Sequence, residues 1–252
     1  MTSKTSATTP VPAATTVVIS GASRGLGLAM AADLLKADLR VATFARKPTS
    51  GLLELQDAFG DQFYHDSVDI NDRSMVRAFL ARAAERLGPP DALINNAAVG
   101  QDSMLVQTRP DHIESLIATN LTAPLLLTRD FLRTLLASGR RGRIIMIGSV
   151  CAQRGYPGLT VYSATKGALE SATRSLAREW RERVLVNCIS PGFFDSEMSA
   201  VLGANQVASI ARRTPTGRLV TPEDILPLIH TLLLDDTNIN GQVITADGGG
   251  SI

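Results

Sequence analysis

Tyr162 and Lys166 stand four residues apart, the spacing that stacks two side chains on one helix face. An ammonium beside a phenol favours the phenolate and lowers a pKa that starts near ~10. A phenol tuned in this way can pass a proton to or from a carbonyl oxygen near neutral pH. A solvated helix face would show the same pair by chance, so its company decides. Upstream, in chain order, come Ser20-Gly21-Ala22-Ser23-Arg24-Gly25-Leu26-Gly27, then Asn95-Asn96-Ala97-Ala98, Asn120 and Gly148-Ser149.

Groups so far apart in sequence need a frame that gathers them. A short β-branched run over Thr16–Ile19 and further runs over Arg40–Ala45, Gln62–Asp69, Asp91–Asn96, Arg143–Ser149, Val184–Ser190 and Gln242–Asp247, the second of these less apolar, read as seven strands. Helices are predicted from the glycine loop through Leu35, and over about 74–86, 110–136, 162–183 and 222–234. Apolar strands alternating with helices imply an α/β fold, a parallel sheet covered on both faces. Right-handed crossovers make that sheet doubly wound. Ligands of such sheets sit beyond the carboxyl ends of the strands. Ser20-Gly21, Asn95-Asn96, Ser149 and Pro191-Gly192 all fall at such ends.

Composition narrows the rest. With 44% apolar residues but only 4% aromatics, the core must rest on Ala, Val, Leu and Ile. A net charge of +1 gives no reason to expect nucleic acid or a membrane surface as the main partner. Cys151 and Cys188 make neither a CxxC pair nor a disulfide framework, and His65, His112 and His230 have no metal-ligand spacing, so no metal is expected. Residues 1–14 read as a polar, disordered leader, and one domain over 15–252 is favoured over two. No stretch reaches the ~18 apolar residues of a membrane span, and a soluble, cytoplasmic protein is expected.

Gly21, Gly25 and Gly27 follow a strand and open a helix, the setting of a phosphate-cradling loop, although a plain turn has the same glycines. An acid after the second strand would bind a ribose 2′-hydroxyl; here Arg46 and Lys47 follow it, and Arg24 adds a cation inside the loop. Planar guanidinium suits a 2′-phosphate, which points to NADP(H), against a merely solvated basic turn. Asp69 is either an adenine-side acceptor or a cap for the next helix. Asn120 interrupts an apolar helix, so it either faces solvent or holds a water linking the lysine to bulk. Ser149, directly after an apolar strand, can hydrogen-bond a substrate oxygen.

From about Thr16 to the C-terminus these motifs resemble the short-chain dehydrogenase/reductase family. Residues 20–27 resemble its Thr-Gly-x-x-x-Gly-x-Gly loop with Ser20 leading, and Asn95-Asn96-Ala97-Ala98 resembles Asn-Asn-Ala-Gly with Ala98 for Gly. The resemblance implies a single Rossmann-type, seven-stranded, doubly wound parallel sheet with helices on both faces. It also implies a catalytic set of Asn120, Ser149, Tyr162 and Lys166. Ser149 would hold the carbonyl oxygen, Tyr162 give the proton, Lys166 bind the nicotinamide ribose and tune Tyr162, and Asn120 anchor a relay water. Cofactor contacts would come from Gly21, Ser23, Arg24, Gly25, Leu26, Gly27, Arg46, Asp69, Ile70, Asn96, Ala97, Tyr162, Lys166, Pro191 and Gly192.

Within the family the chain is most similar to 3-oxoacyl-[acyl-carrier-protein] reductases, on residues 142–149, 175–179 and 215–219. A reductase of a free ketone, or the reverse alcohol oxidation, is the alternative; a non-catalytic protein on the same fold is disfavoured by the intact Ser149, Tyr162 and Lys166. The family places its substrate lid over residues 193–213. Arg140, Arg141 and Arg143, with Arg183 after the Tyr162 helix, are expected to form a basic rim beside the site where an acidic carrier protein docks. Arg174, Arg178 and Arg181 extend it; the alternative is that Glu170–Arg174 and Glu179–Arg183 are ordinary i,i+4 pairs. A homotetramer is expected, its long helices pairing across a two-fold axis.

Overall fold

The computed structural model describes residues 15–100, 103–194 and 204–252; the leader and much of the expected lid lie outside them. Seven strands form one sheet: β1 (Thr16–Ser20), β2 (Arg40–Ala45), β3 (Phe63–Ser67), β4 (Ala92–Asn95), β5 (Gly142–Ile147), β6 (Val184–Pro191) and β7 (Val243–Ala246). Their order is β3-β2-β1-β4-β5-β6-β7 and every pairing is parallel. Strand order therefore reverses between β1 and β4, where Ile19 sits in register with Ile94. That reversal opens a crevice at their carboxyl ends.

Alternation along the strands feeds two cores. Val17, Ile19, Ile94 and Ile145 point to one face, covered by α1 (Gly25–Lys36) and α9 (Pro222–Leu234). Val18, Leu93, Ile144 and Met146 point to the other, covered by α3 (Arg73–Leu87), α5 (Ala123–Ser138) and α7 (Thr160–Trp180). Aromatics matter only locally, as where Phe79 of α3 packs edge-on to Phe44 at 4.8 Å. The aliphatic core expected from composition is what fills the layers.

The helices depart from expectation in four places. A helix over α2 (Ser50–Phe59) is not signalled by apolar periodicity, because only Leu52 and Leu55 of its residues are buried. The single helix expected over 110–136 is α4 (Pro110–Ile117), a π-helical turn at Ala118–Thr122, and then α5. The cause is Pro124, which has no N–H to give to the carbonyl four residues back, that of Asn120. Finally, a short α6 (Cys151–Arg154) follows the fifth strand, and α7 ends at Trp180 because Arg181 takes a φ of 44°. Within the last third of the chain, α8 (Ala204–Arg213) leads into α9.

Candidate active site

At Gly21 and Gly27 the glycine loop has no room for a side chain. Gly21 holds φ +73°, and a methyl on it would come within 2.9 Å of Ala97. A methyl on Gly27 would lie 2.3 Å from the Gly21 carbonyl oxygen. The Ser20 hydroxyl accepts from the backbone N–H groups of Asn96 and Ala97 at 3.0 and 3.1 Å, so Ser in the leading position makes the tie between the first and fourth strand ends. Asn96 returns it, donating to the Ser20 and Gly21 carbonyls at 3.1 and 2.8 Å. Ala98 is not among the positive-φ residues, so its backbone does not call for glycine's left-handed conformation.

Arg24, at the N-cap of α1, and Arg46, after β2, are both exposed. Thr49 donates to the Ser23 carbonyl at 2.8 Å and draws the segment after Arg46 against the loop that carries Arg24. Leu26 packs on one core and Ile70 on the other, at the two sides of this corner. Asp69 accepts from the Asn71 N–H at 2.9 Å and does not cap α3. That cap is Asp72, which accepts from Ser74 and Met75 at 2.9 and 3.0 Å. The capping alternative for Asp69 is thereby removed.

Asn120 does not face solvent. It is 1% exposed in the π-helical turn, where its side chain accepts from the Val99 N–H and donates to the Val99 carbonyl, both at 2.8 Å. Its side-chain amide is thereby spent on Val99, and Pro124, which lacks an N–H, cannot donate to the Asn120 carbonyl. The signal was present in sequence as an Asn-x-x-x-Pro spacing.

Ser149 follows β5 on a segment stitched to β6. The Gly148 N–H donates to the Ile189 carbonyl at 2.7 Å and the Val150 N–H to Pro191 at 3.1 Å. Tyr162 and Ser149 hydrogen-bond through their hydroxyls, which favours the phenolate, but burial and the nearby Cys151 thiol together push the phenol well above its ordinary range. Lys166 is 2% exposed, donates to the Ile147 carbonyl at 2.7 Å, and is driven down to about 8 by loss of solvent. Its ammonium lies 5.7 Å from the Tyr162 ring centroid. The expected lowering of the phenol by the ammonium is thus absent from this state: Lys166 points past the ring to the β5 backbone.

Gly192 completes the site. A methyl on it would meet Asp247 and Val220 at 2.9 Å, and its N–H donates to the Ala246 carbonyl at 3.0 Å. The structure thus gathers the glycine loop, Asn96, Ala97, Asn120, Ser149, Tyr162, Lys166, Pro191 and Gly192 at one edge of the sheet.

The basic cluster does not join them. Arg140 and Arg141 precede β5, and the Gly142 N–H donates to the Arg183 carbonyl at 3.0 Å, so all three lie at the amino ends of the strands. The six residues of β5, at ~3.3 Å each, put them roughly 20 Å from Ser149. Arg143 is buried at 2% exposure, donating to the Leu232 and Asp235 carbonyls at 2.9 Å each. These arginines form no rim beside this chain's own site, because a strand's two ends face opposite edges of the sheet. Glu170 and Ser190 prove to be buried.

Residues 15–207 match the short chain dehydrogenase family. The 3-oxoacyl-[acyl-carrier-protein] reductases of Escherichia coli K12 and Salmonella typhimurium are each 31% identical over 234 residues, covering 92% of this chain and 95% of theirs. Among solved structures, a gluconate 5-dehydrogenase from Burkholderia cenocepacia J2315, in complex with NADP and tartrate, superposes with a TM-score of 0.86 at 28% identity, covering 94% of each chain. A variant actinorhodin polyketide ketoreductase with NADPH superposes at 0.85 and 26% identity, over 94% of this chain and 97% of that one. The chain belongs to the short-chain dehydrogenase/reductase family and is an oxidoreductase acting on CH–OH and C=O groups.

Proposed function

We propose that this protein is an NADPH-dependent reductase that turns a 3-oxoacyl thioester, carried on acyl carrier protein, into the 3-hydroxyacyl form. The observation that carries the substrate half is the similarity to 3-oxoacyl-[acyl-carrier-protein] reductases over nearly the full length of both chains. The loop has the form of a dinucleotide cradle: the lack of a side chain at Gly21, Gly27 and Gly192 lets the backbone pack directly on Ala97, Asn96 and Asp247 at the carboxyl ends of the strands. The free amides at the start of α1 suit a pyrophosphate. When bound, the nicotinamide supplies the hydride. The Ser149 hydroxyl holds the carbonyl oxygen, and Tyr162 gives that oxygen its proton. Lys166 holds the ribose and, once turned from Ile147 towards the phenol, stabilises the tyrosinate left behind. The Asn120 carbonyl anchors the water through which the proton is restored.

Arg24 and Arg46 form the 2′-phosphate corner. Replacing either by Ala is expected to weaken NADPH about tenfold or more, the scale of one charge-assisted hydrogen bond. NADH kinetics should barely change. Equal losses with both coenzymes would assign the arginines to the fold.

A specific observation favours a second reading, reduction of a free small ketone or oxidation of its alcohol. The structural relatives include a sugar-acid dehydrogenase and a polyketide ketoreductase, and Tyr156 packs edge-on to Phe193 at 5.0 Å just past the Pro191-Gly192 turn. Parallel assays of NADPH oxidation with acetoacetyl-carrier protein, an acetoacetyl thioester analogue, simple ketones and keto acids separate the two. A kcat/KM highest for the thioesters supports the first, and one highest for keto acids or cyclic ketones overturns it.

Carrier docking then depends on assembly. Leu125 and Leu136 of α5 are exposed beside Leu176 and Trp180 of α7, along a groove of about 290 Å³ that a second copy would cover in a tetramer. Only in such an assembly could Arg140, Arg141 and Arg183 flank a site, and it would be a partner's. Reversing charge at Arg141 and Arg183 should lower kcat/KM for the carrier-bound substrate alone, in a protein whose light-scattering mass is that of several chains. A monomer with the same charge sensitivity would refute this arrangement.

A further inference from the structure

Four residues beyond Lys166, on the same face of α7, lies Glu170. It is 7% exposed, and its carboxylate accepts the Ser190 hydroxyl at 2.7 Å. Arg174, the partner its spacing suggested, donates to the Glu170 backbone carbonyl at 3.3 Å. The i,i+4 side-chain pair is therefore replaced by a buried side-chain tie between α7 and β6. Burying a carboxylate beside Leu169 and Thr173 costs desolvation that an apolar side chain would not incur. A residue kept at that cost needs a use.

Its place in the fold supplies one. Ser190 is 0% exposed and directly precedes Pro191-Gly192. Its hydroxyl sits where a methyl on Gly148 would come within 2.4 Å, so it also touches the segment that delivers Ser149. Three segments meet at this point: the one bearing Ser149, the one bearing the cofactor turn, and the helix bearing Tyr162 and Lys166. Backbone bonds hold the first two together, from Gly148 to Ile189 and from Val150 to Pro191. The third is held near them by side-chain bonds from Tyr162 to Ser149, from Lys166 to the Ile147 carbonyl and between Glu170 and Ser190, of which only the last reaches the strand that ends in the Pro191-Gly192 turn. Lys166 must leave its carbonyl to serve the phenol and the ribose, whereas Glu170 has no such duty.

We propose that Glu170 is a positioning residue: through the Ser190 hydroxyl it locks the helix of Tyr162 and Lys166 to the strand that ends in the Pro191-Gly192 cofactor turn. Coenzyme held by Lys166 on one side and by that turn on the other feels any slip of α7 along β6. A displacement of about 1 Å at a reacting centre is enough to cost ~10²-fold in rate. The tie is a hydrogen bond and not a charge, so a neutral acceptor of the same shape serves equally.

The inference rests on the coenzyme site described above, but not on which substrate is reduced. Its test compares Glu170→Gln, Glu170→Leu and Ser190→Ala with the unaltered protein, in whichever of NADPH or NADH that protein binds more tightly. The readouts are coenzyme Kd by fluorescence titration, kcat, and Tm. Glu170→Leu and Ser190→Ala are each expected to weaken coenzyme and lower kcat by about tenfold, and the double variant to be no worse than either, as for one shared interaction. Glu170→Gln should stay within about twofold, because its amide oxygen still accepts from Ser190. Should Glu170→Leu fail to fold, Ser190→Ala and Glu170→Gln carry the same contrast. A Ser190→Ala protein with lowered Tm but unchanged Kd and kcat would overturn the proposal, leaving a tie that serves stability alone. A Glu170→Gln protein as impaired as Glu170→Leu would overturn it by showing that charge is what matters. Absence of coenzyme binding in the unaltered protein would refute the site itself, a result distinct from both.

Discussion

Tyr162→Phe is expected to lower kcat by roughly two to four orders of magnitude, the range for losing a positioned proton donor. Coenzyme affinity should stay near that of the unaltered protein. The change deletes one oxygen and keeps the ring, so the packing of α7 against β6 survives. What goes is the phenol oxygen hydrogen-bonded to Ser149. In the folded protein that phenol is held above its ordinary pKa by burial, which keeps the proton available for donation across neutral pH. Single-turnover measurements with saturating coenzyme check this directly. Near-normal turnover in a correctly folded Tyr162→Phe protein would remove Tyr162 from the chemistry.

Lys166→Met is expected to abolish most activity, weaken coenzyme binding, and yet stabilise the fold. Burial drives the ammonium from 10.5 down to about 8, so folding must bear the cost of a charge taken out of water. Each unit corresponds to about 1.4 kcal/mol, so this cost is roughly 3 kcal/mol below pH 8. From pH 8 to 10.5 the unfolded chain holds a proton that the folded chain has lost, and stability rises with pH by this linkage. Above 10.5 neither state is charged and the cost is gone. Met removes the charge but leaves the Ile147 carbonyl without its donor, which returns about 1 kcal/mol of the gain. The net expectation at about pH 7 is a Tm higher by a few degrees, and a flatter stability profile between pH 8 and 10.5. A less stable, equally pH-sensitive variant would show that Lys166 is not the buried strained cation described.

Both effects come from the same pair, and a double variant should be little worse in kcat than Tyr162→Phe alone, since residues acting as one unit lose their function once. Activity and stability pull Lys166 in opposite directions. That opposition marks a residue retained for chemistry rather than for the fold.

The elements and motifs that were legible in sequence are those whose signals are local. Short runs between turn and helix signals marked all seven strands within a few residues, and Pro222–Leu234 was read to its ends. The glycine loop was legible because Gly21 and Gly27 meet steric demands that no other residue can. Asn95-Asn96, Ser149 and Tyr162-x-x-x-Lys166 were legible because strand ends and helical periodicity say where side chains go. Less was legible where the periodicity is weak, as in α2 with its two buried leucines. The break at Asn120 needed Pro124 to be read as a missing donor rather than as a tolerated helix residue.

Tertiary structure alone decided which side of each element met what. Nothing in the spacing of Glu170 and Arg174 tells that one lies on the β6 face of α7 and the other outside, because both readings satisfy the same i,i+4 geometry. Arg140, Arg141 and Arg183 lie next in sequence to strands that deliver active-site residues. Yet a parallel sheet puts the two ends of every strand on opposite edges, and adjacency in sequence becomes distance in space. The state of Lys166 belongs here as well: its neighbours along the helix are known from sequence, but its desolvation and its bond to Ile147 come from β5 and β6, which only folding brings to it. By itself the sequence determined which groups exist and which element carries each one, since propensity and sterics act between near neighbours. Burial, partners and the edge of the sheet to which each group belongs were decided by contacts between distant segments.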